Sequence, residues 1–482
     1  MAKSVIIVGA GIGGLTIAIR LSQLGYDVTI LEKNAQVGGK VCEFRAAGFR
    51  WDIAPTPFPP KLALEVLFDD LELDMDHYLR LQAIDPQTRY FFPDGASFSA
   101  HKDWAALTKE IRLLAPEDYV GFLKFLAYAA RLDSPFIAST GDAAAFKRLR
   151  LAPRRTMHDA IARHIKSDKL QRILGSHAAL VGGSPYALPA AFNTLAHQAL
   201  SGGSWYPQDG MTSLTTALER LAREGGAAIQ LNSPVQEIRV KGNVATGVML
   251  SDGQVLRSDA VVSNVDIIST LRFLLPEGVL PAPAQRRLNR AKLSSSAFVI
   301  MLGVRGRFPQ LAHHNIFFSE HRWREYQEIF GREVMPADPT ISLTISSKTD
   351  PLTAPVNQEN WLIKVEAPSL SEKFDWGTER EAYRDRILAI LYQRYGLDLR
   401  DSIRIEQHLT PADFQARTGA WRGALFGPSA QARLTALKPA NIRSSRIARL
   451  YFAGGTTHPG GDHSLGIQSG RLAAAAVAQD LK

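Results

Sequence analysis

The chain has 482 residues, of which 45% are hydrophobic and 21% charged, with a formal net charge of +9. That length exceeds the reach of one hydrophobic core, so two or three domains are expected, and the composition excludes a disordered polymer. Cys42 is the only cysteine, which excludes an intrachain disulfide, an iron–sulfur cluster and a cysteine-rich zinc site and suits a reducing cytoplasm. The histidines show no HExxH or comparable spacing, so no metal is expected. Adjacent His313 and His314 would point to opposite faces of a strand. The basic balance suits nucleic acid or an anionic membrane, but no recognised nucleic-acid reader motif accompanies it.

In chain order, the first expected element is a buried parallel strand over Val5 to Val8. Gly9, Gly11 and Gly14 then complete GxGxxG: a tight turn, a close pyrophosphate approach and close helix–strand packing. A helix over Leu15 to Leu24 follows, its N-terminus toward the phosphates, and Gly25 ends it. Val28 to Leu31 form the next strand, with Glu32 at its end to accept from a ribose and repel a 2′-phosphate. Strand, helix, strand and acid in one unit read as a dinucleotide site. The apolar run Val5 to Ile19 lacks a cleavage pattern for a signal peptide, and no other stretch is long enough to span a bilayer.

QVGGK, Gln36 to Lys40, follows. The segment of about 105–200 reads as helical, with Tyr119, Phe122, Leu123 and Leu126 along one stripe and Phe125 and Tyr128 widening it. Lys147, Arg148, Arg150, Arg154 and Arg155 cluster soon after, and an aromatic helix beside cations suits an interfacial membrane contact; a core helix beside a solvated loop is the plain alternative. Further on, NSPVQEIRV (232–240) alternates as a strand and LSDGQVLRSDAVVSNVD makes a hairpin and another strand. SAFVIMLGV (296–304), TISLTISS (340–347) and NWLIKVEAP (360–368) are expected strands that could floor a pocket.

Beyond the glycine fingerprint, the chain carries LVGGSPYALPAAFNTLAH (180–197), GSWYPQDGMTSLTTALERLA (203–222), LAHHNIFFS (311–319), LTPADFQARTGAWRGALFG (409–427) and YFAGGTTHPGG (451–461). In these pieces, nearly end to end, it resembles the bacterial and fungal type of phytoene desaturase, in the carotenoid-desaturase branch of the FAD-dependent amine oxidase superfamily. The resemblance implies an α/β fold. A discontinuous Rossmann-like FAD domain would take residues 1–75, 205–275 and 440–482, a mixed-sheet substrate domain 76–104 and 276–440, and a helical, membrane-associating insert 105–204. It implies noncovalent FAD lined by Gly9, Gly11, Gly13, Gly14, Glu32, Lys33, Gly39, Lys40 and Val235, with Gly210, Met211, Gly454, Gly455 and Thr456 toward the flavin. The implied substrate is a hydrophobic acyclic carotenoid precursor, phytoene or a later, hydroxylated intermediate, which passes a hydride from an allylic C–H to flavin N5 and then loses a proton. Oxygen or a membrane quinone would reoxidise the flavin. The implied location is the cytoplasm, peripheral on the inner face of the cell membrane. A carotenoid terminal oxygenase, a flavin-dependent cis–trans isomerase, a flavin amine oxidase and a catalytically silent FAD-binding protein are the alternatives.

The pattern departs from the family at HPGGDHSLGIQSGR, where Asp462 and His463 stand in place of small apolar residues at the start of the last helix. Three roles are open to them: capping that helix with His463 facing solvent, recognising an oxygenated end of the substrate, or accepting a proton during catalysis.

Overall fold

The computed structural model describes residues 2–53, 61–137, 155–430 and 442–482. The N-terminal unit forms strand β1 (Ser4–Val8), helix α1 (Ile12–Gln23) and strand β2 (Asp27–Leu31). α1 starts three residues earlier than the apolar periodicity suggests, because Gly13 and Gly14 lie inside its first turn. After Leu24 the chain turns through Gly25 at φ +81, a conformation with little cost for glycine.

β1 is the centre of a five-stranded parallel sheet in the order Leu450–Phe452, Ala260–Ser263, β1, β2, Ala228–Gln230. Three distant stretches of sequence therefore build one sheet, and the α/β FAD domain is discontinuous. Alternation along β1 divides the core. Val5 and Ile7 pack with α1 and the helices Thr212–Glu224 and His463–Asp480, while Ile6 and Val8 pack with the antiparallel strands Val235–Lys241, Val244–Leu250 and Val255–Arg257. α1 and the final helix approach closely: a Cβ on Gly470 would lie 2.7 Å from the Gly13 carbonyl oxygen.

A second, seven-stranded mixed sheet has the order Ile403–Leu409, Ser296–Arg305, Gln358–Ala367, Ile341–Ile345, His314–Phe317, Thr88–Phe91, Ser97–Ala100. Its pairs are antiparallel except His314–Phe317 with Thr88–Phe91. One face, with Phe298, Ile300, Ile363 and Val365, is covered by Tyr383, Ile387 and Leu391 of the helix Trp376–Tyr395. On the opposite face Ala297, Val299, Met301 and Leu362 meet the hairpin of Cys42–Ala46 and Phe49–Ile53. The three segments read as pocket-floor strands are therefore strands of this sheet.

After helix α2 (Leu62–Asp70), the expected helical insert contains α3 (Trp104–Leu114), α4 (Tyr119–Ile137) and the helices Met157–Ala162, Asp168–Gly175 and Asn193–Gly202. The aromatic stripe of α4 is split. Phe122 and Phe125 are buried in the core of this layer, and Tyr119, Leu126 and Tyr128 pack against it. Val120, at 58% exposure, and Leu123, at 37%, face outward instead. A hydrophobic stripe covers whichever surface tertiary packing presents, and here most of it covers protein. Of the cationic cluster, Lys147, Arg148, Arg150 and Arg154 lie outside the described residues, and Arg155 is exposed. No helix among the described residues is long and apolar enough to cross a membrane. The His313 and His314 rings do not diverge; their centroids are 4.4 Å apart, because His313 precedes the strand.

Candidate functional site

At the C-terminal edge of the parallel sheet the β1–α1 turn opens a cleft, the usual ligand position in such folds. Gly9 takes φ +97, and its N–H donates to the Leu31 carbonyl at 2.8 Å. Gly11 caps α1 with extended backbone and no side-chain acceptor, so the first-turn N–H groups and the positive helix end remain available to an anion. Asn264, just after Ala260–Ser263, wedges its amide among the glycines. A Cβ on Gly11 would lie 2.6 Å from Asn264 Nδ2, and one on Gly13 or Gly454 would lie 2.6 Å from Asn264 Oδ1. Side chains are excluded at those three positions by contact.

Glu32, buried at the end of β2, accepts from the Ala10 N–H at 2.8 Å through one oxygen and from the Asn34 N–H and Nδ2 through the other, at 2.9 and 2.7 Å. These bonds aim the carboxylate into the cleft beside the glycine turn. Gly38 (φ +113) donates to the Ala10 carbonyl and begins the second glycine turn, through Gly39 to Lys40. The half-buried Lys40 donates to the Leu425 carbonyl, and burial pulls its ammonium down to about 8, with Asp266 opposing the fall. It therefore remains cationic at neutral pH. A helix N-terminus, a carboxylate at the end of β2 and a half-buried cation in one cleft are the donor and acceptor set of an adenine dinucleotide, and the residues present fit FAD.

At the other end, Gly454 (φ +102) donates to Ser469 Oγ at 3.1 Å, and Thr456 Oγ1 accepts from the Ile267 N–H at 3.1 Å. Asp462 is the N-cap of the final helix, accepting from the Leu465 N–H at 3.2 Å. Its side chain is buried, and burial raises its carboxyl to about 6 against the lowering influence of the Leu465 and Ser464 N–H groups. His463 does not face solvent as the capping role supposes; it is 4% exposed, and burial lowers its imidazole to about 4. A neutral His463 at physiological pH supplies no positive charge to offset Asp462.

The cleft brings together Gly9, Gly11, Gly13, Glu32, Lys33, Gly39, Lys40, Val235, Gly454, Gly455, Thr456, Asp462 and His463. Lys33 stands at its exposed rim and donates to the Ala416 carbonyl at 2.8 Å. Gly14 lies behind the wall, where a Cβ would lie 2.2 Å from the Gly9 oxygen. Gly210 and Met211 also stand outside it: the Met211 N–H donates to Asp52, which accepts from Tyr206 as well. Sequence reasoning missed Asn264, Asp266, Arg417 and Phe426, which line the cleft. The position of Asn264 and Asp266 directly after an apolar strand was the one signal available.

Two further cavities adjoin. Asp462 lines both the cofactor cleft and a second cavity walled by Leu62, Val66, Leu195, Leu465 and Ile467, with Lys61, Glu65, Lys102 and Arg471 also lining it. Leu180 lines that second cavity and a third, above the inner face of the seven-stranded sheet. Among the described residues no group of three histidine, cysteine or carboxylate side chains is placed to hold a metal.

Residues 12–478 match the family described as flavin containing amine oxidoreductase. The chain is 34% identical over 495 residues to a 4,4'-diapolycopene oxygenase of Methylomonas sp, covering 100% of this chain and 99% of the relative. It is 32% identical over 493 residues to a 4,4'-diaponeurosporene oxygenase of Staphylococcus aureus, covering 98% of each. The fold is shared with cyclohexylamine oxidase from Brevibacterium oxydans (TM-score 0.62, 17% identity, 100% of each chain) and with an oxidoreductase from Methanosarcina mazei (TM-score 0.65, 16% identity, 97% of this chain and 99% of the other).

Proposed function

The chain belongs to the flavin containing amine oxidoreductase family, in its carotenoid-desaturase branch, and from that premise we propose that it oxidises a linear carotenoid by hydride removal next to the conjugated chain. It is an FAD-dependent oxidoreductase of the amine-oxidase and carotenoid-desaturase type. The observation that carries the substrate reading is Asp462, which joins the cofactor cleft to a cavity where Leu62, Val66, Leu180, Leu195, Leu465 and Ile467 form an aliphatic strip among polar and charged residues. A long apolar substrate needs such a corridor, and an amine substrate does not.

Bound FAD supplies a two-electron acceptor. Gly9, Gly11 and the α1 N-terminus hold its pyrophosphate, Glu32 its ribose, and Lys40 adds charge complementarity. Loss of hydride leaves a substrate cation delocalised along the polyene, which makes a neighbouring C–H acidic. Asp462, with a carboxyl near 6, is ionised at neutral pH and is positioned to take that proton, while His463 packs beside it as a neutral ring. Positioning of the polyene against the cofactor supplies most of the acceleration, so no stronger base is required.

Two products follow from the same cation. Loss of the adjacent proton gives a new double bond. Capture of water at the terminal carbon gives an alcohol, and a second hydride removal gives an aldehyde. Whole-length identity to two proteins named as 4,4'-oxygenases favours the second course. Oxygen or a quinone serves as the final acceptor. Trp104, Leu113, Val120 and Leu123, exposed on α3 and α4, are the candidate contact with an anionic membrane from which the polyene is drawn.

The test is anaerobic. Purified holoenzyme is mixed with phytoene, or with a fully conjugated linear polyene, in liposomes while flavin absorbance is followed. Bleaching with phytoene and new longer-wavelength bands mark desaturation. Bleaching only with the conjugated polyene, giving the alcohol, and the aldehyde once oxygen is admitted to reoxidise the flavin, marks terminal oxidation. No bleaching with either, or with a linear polyene oxygenated at one end, in protein that holds FAD, overturns the reading.

A further inference from the structure

The third cavity sets charged side chains, Arg322, Glu325, Lys364 and Glu366, among apolar ones such as Tyr90, Leu180, Leu200 and Ile316. Its floor is the face of the seven-stranded sheet opposite the helix Trp376–Tyr395, and the register aligns polar residues across neighbouring strands: His314 opposite Thr344, and Ser342 opposite Lys364. Glu366 follows Lys364 on the same face of Gln358–Ala367, because side chains alternate along a strand. The cavity measures ≈ 110 Å³. Whole drug-sized ligands occupy sites of about 300–1,000 Å³, so this one has room for an end group and not for the length of a polyene.

One part of its polar wall is internally satisfied. Buried Arg322 donates to Thr340 Oγ1 at 2.7 Å and to the Tyr326 hydroxyl, and it pairs with Glu325 at 3.5 Å. Glu325 in turn accepts from Ser319 Oγ at 2.8 Å and from the Thr340 N–H at 2.7 Å. Lys364 and Glu366 are different. Both line the cavity, and neither makes a hydrogen bond with another described residue, although charged groups withdrawn from water are costly unless they are paired. An apolar tunnel wall gains nothing from such a pair.

The cavity is also close to the chemistry. Leu180 lines both it and the corridor beside Asp462, and the Leu180 carbonyl oxygen stands 3.2 Å from the position of a Cβ on Gly461. We infer that this cavity binds an oxygenated end of the linear polyene, a hydroxyl or carbonyl, with Lys364 Nζ donating to its oxygen and Glu366 as the second partner. The assignment rests on the polyene reading above and narrows it to substrates already oxygenated at one end. A hydroxyl accepts from Lys364 and donates to Glu366. A carbonyl accepts from Lys364 and from Glu366 in its acid form, which burial keeps accessible by raising the carboxyl to about 7. A pure hydrocarbon end would leave these half-buried groups with each other's charge but no hydrogen-bond partner, and sites built to hydrogen-bond a substrate reject analogues that lack the bonding group.

The test measures binding apart from turnover. Anaerobic holoenzyme is titrated with three linear polyenes of one length, ending in a methyl group, a primary alcohol or an aldehyde, and tryptophan quenching gives each Kd. The alcohol and aldehyde should bind at least about tenfold tighter than the hydrocarbon, the worth of a hydrogen bond to a charged group. Lys364→Met should bring both ratios close to one, and Glu366→Leu should do so for the alcohol. Glu366→Gln, which keeps both hydrogen-bonding functions, should retain most of the selectivity. Equal Kd values in the unmodified protein overturn the assignment, as does selectivity that survives Lys364→Met and Glu366→Leu. Should a variant lose FAD, the ratio in the unmodified protein and in Glu366→Gln decides. Selective binding without flavin bleaching by any polyene supports the end-group site and overturns the oxidation reading. Bleaching without selectivity overturns the end-group site alone.

Discussion

Asp462→Asn separates the electrostatic cost of a buried carboxylate from its service as a helix cap. Asp462 is 5% exposed, and burial raises its carboxyl to about 6. The same group in an unfolded chain titrates near 3.9. A carboxyl whose folded value is raised keeps its full share of stability below the unfolded value and loses it as pH climbs through the folded one. The gap of about two pH units corresponds to a penalty of about 3 kcal/mol at pH 8, against about 1 kcal/mol near pH 4.5. Asparagine is neutral at both pH values, and its Oδ1 can still accept from the Leu465 N–H, since asparagine and aspartate cap helices equally well. Asp462→Asn should therefore stabilise the protein by about 2–3 kcal/mol near pH 8 and by about 1 kcal/mol or less near pH 4.5. Urea unfolding of both proteins at the two pH values measures the difference directly, and titrations elsewhere in the chain cancel. An equal gain at both pH values, or a loss at pH 8, refutes the buried, uncompensated carboxylate. If Asp462 takes the substrate proton, the same variant keeps its FAD but loses turnover, by about 10²–10⁴-fold.

Three further outcomes probe the frame around the site. Gly13→Ala puts a Cβ 2.6 Å from Asn264 Oδ1 and 3.0 Å from the Gly454 backbone; overpacking costs about 1–3 kcal/mol, and the purified protein should show a lower ratio of flavin to protein absorbance. Glu32→Ala leaves the buried Ala10 N–H without its acceptor and removes the ribose partner, so the FAD Kd read by flavin fluorescence should rise about ten- to a hundredfold. Phe122→Ala should destabilise by about 3–5 kcal/mol in urea unfolding, while the half-exposed Leu123, one position along α4, should cost about 0.5 kcal/mol or less as alanine. Leu123→Glu should instead reduce pelleting with anionic vesicles, and unchanged pelleting removes this face from the membrane contact.

The dinucleotide cleft was legible in the sequence because its information is local. Gly9, Gly11 and Gly14, the strand before them and Glu32 after β2 lie within one stretch of chain, and turn geometry, helix dipole and ribose recognition act over that distance. The sheet strands at 296–304, 340–347 and 360–368 were legible for a similar reason, being apolar runs rich in β-branched residues. The orientation of α4 was not, since a stripe reads alike whether protein or lipid covers it, and the packing of Phe122 and Phe125 chose protein.

Tertiary structure alone also decided the surroundings of the cleft and the end of the corridor. Asn264 meets glycines from opposite ends of the chain, a contact that exists only once Ala260–Ser263 pairs with β1. His463 is carried inside because Asp462 takes the cap position and the first turn of the final helix packs into the core. Lys364 and Glu366 read in the sequence as ordinary strand charges. Their meaning depends on which face of Gln358–Ala367 the helix Trp376–Tyr395 covers, and burial of that kind is set by residues far away in sequence.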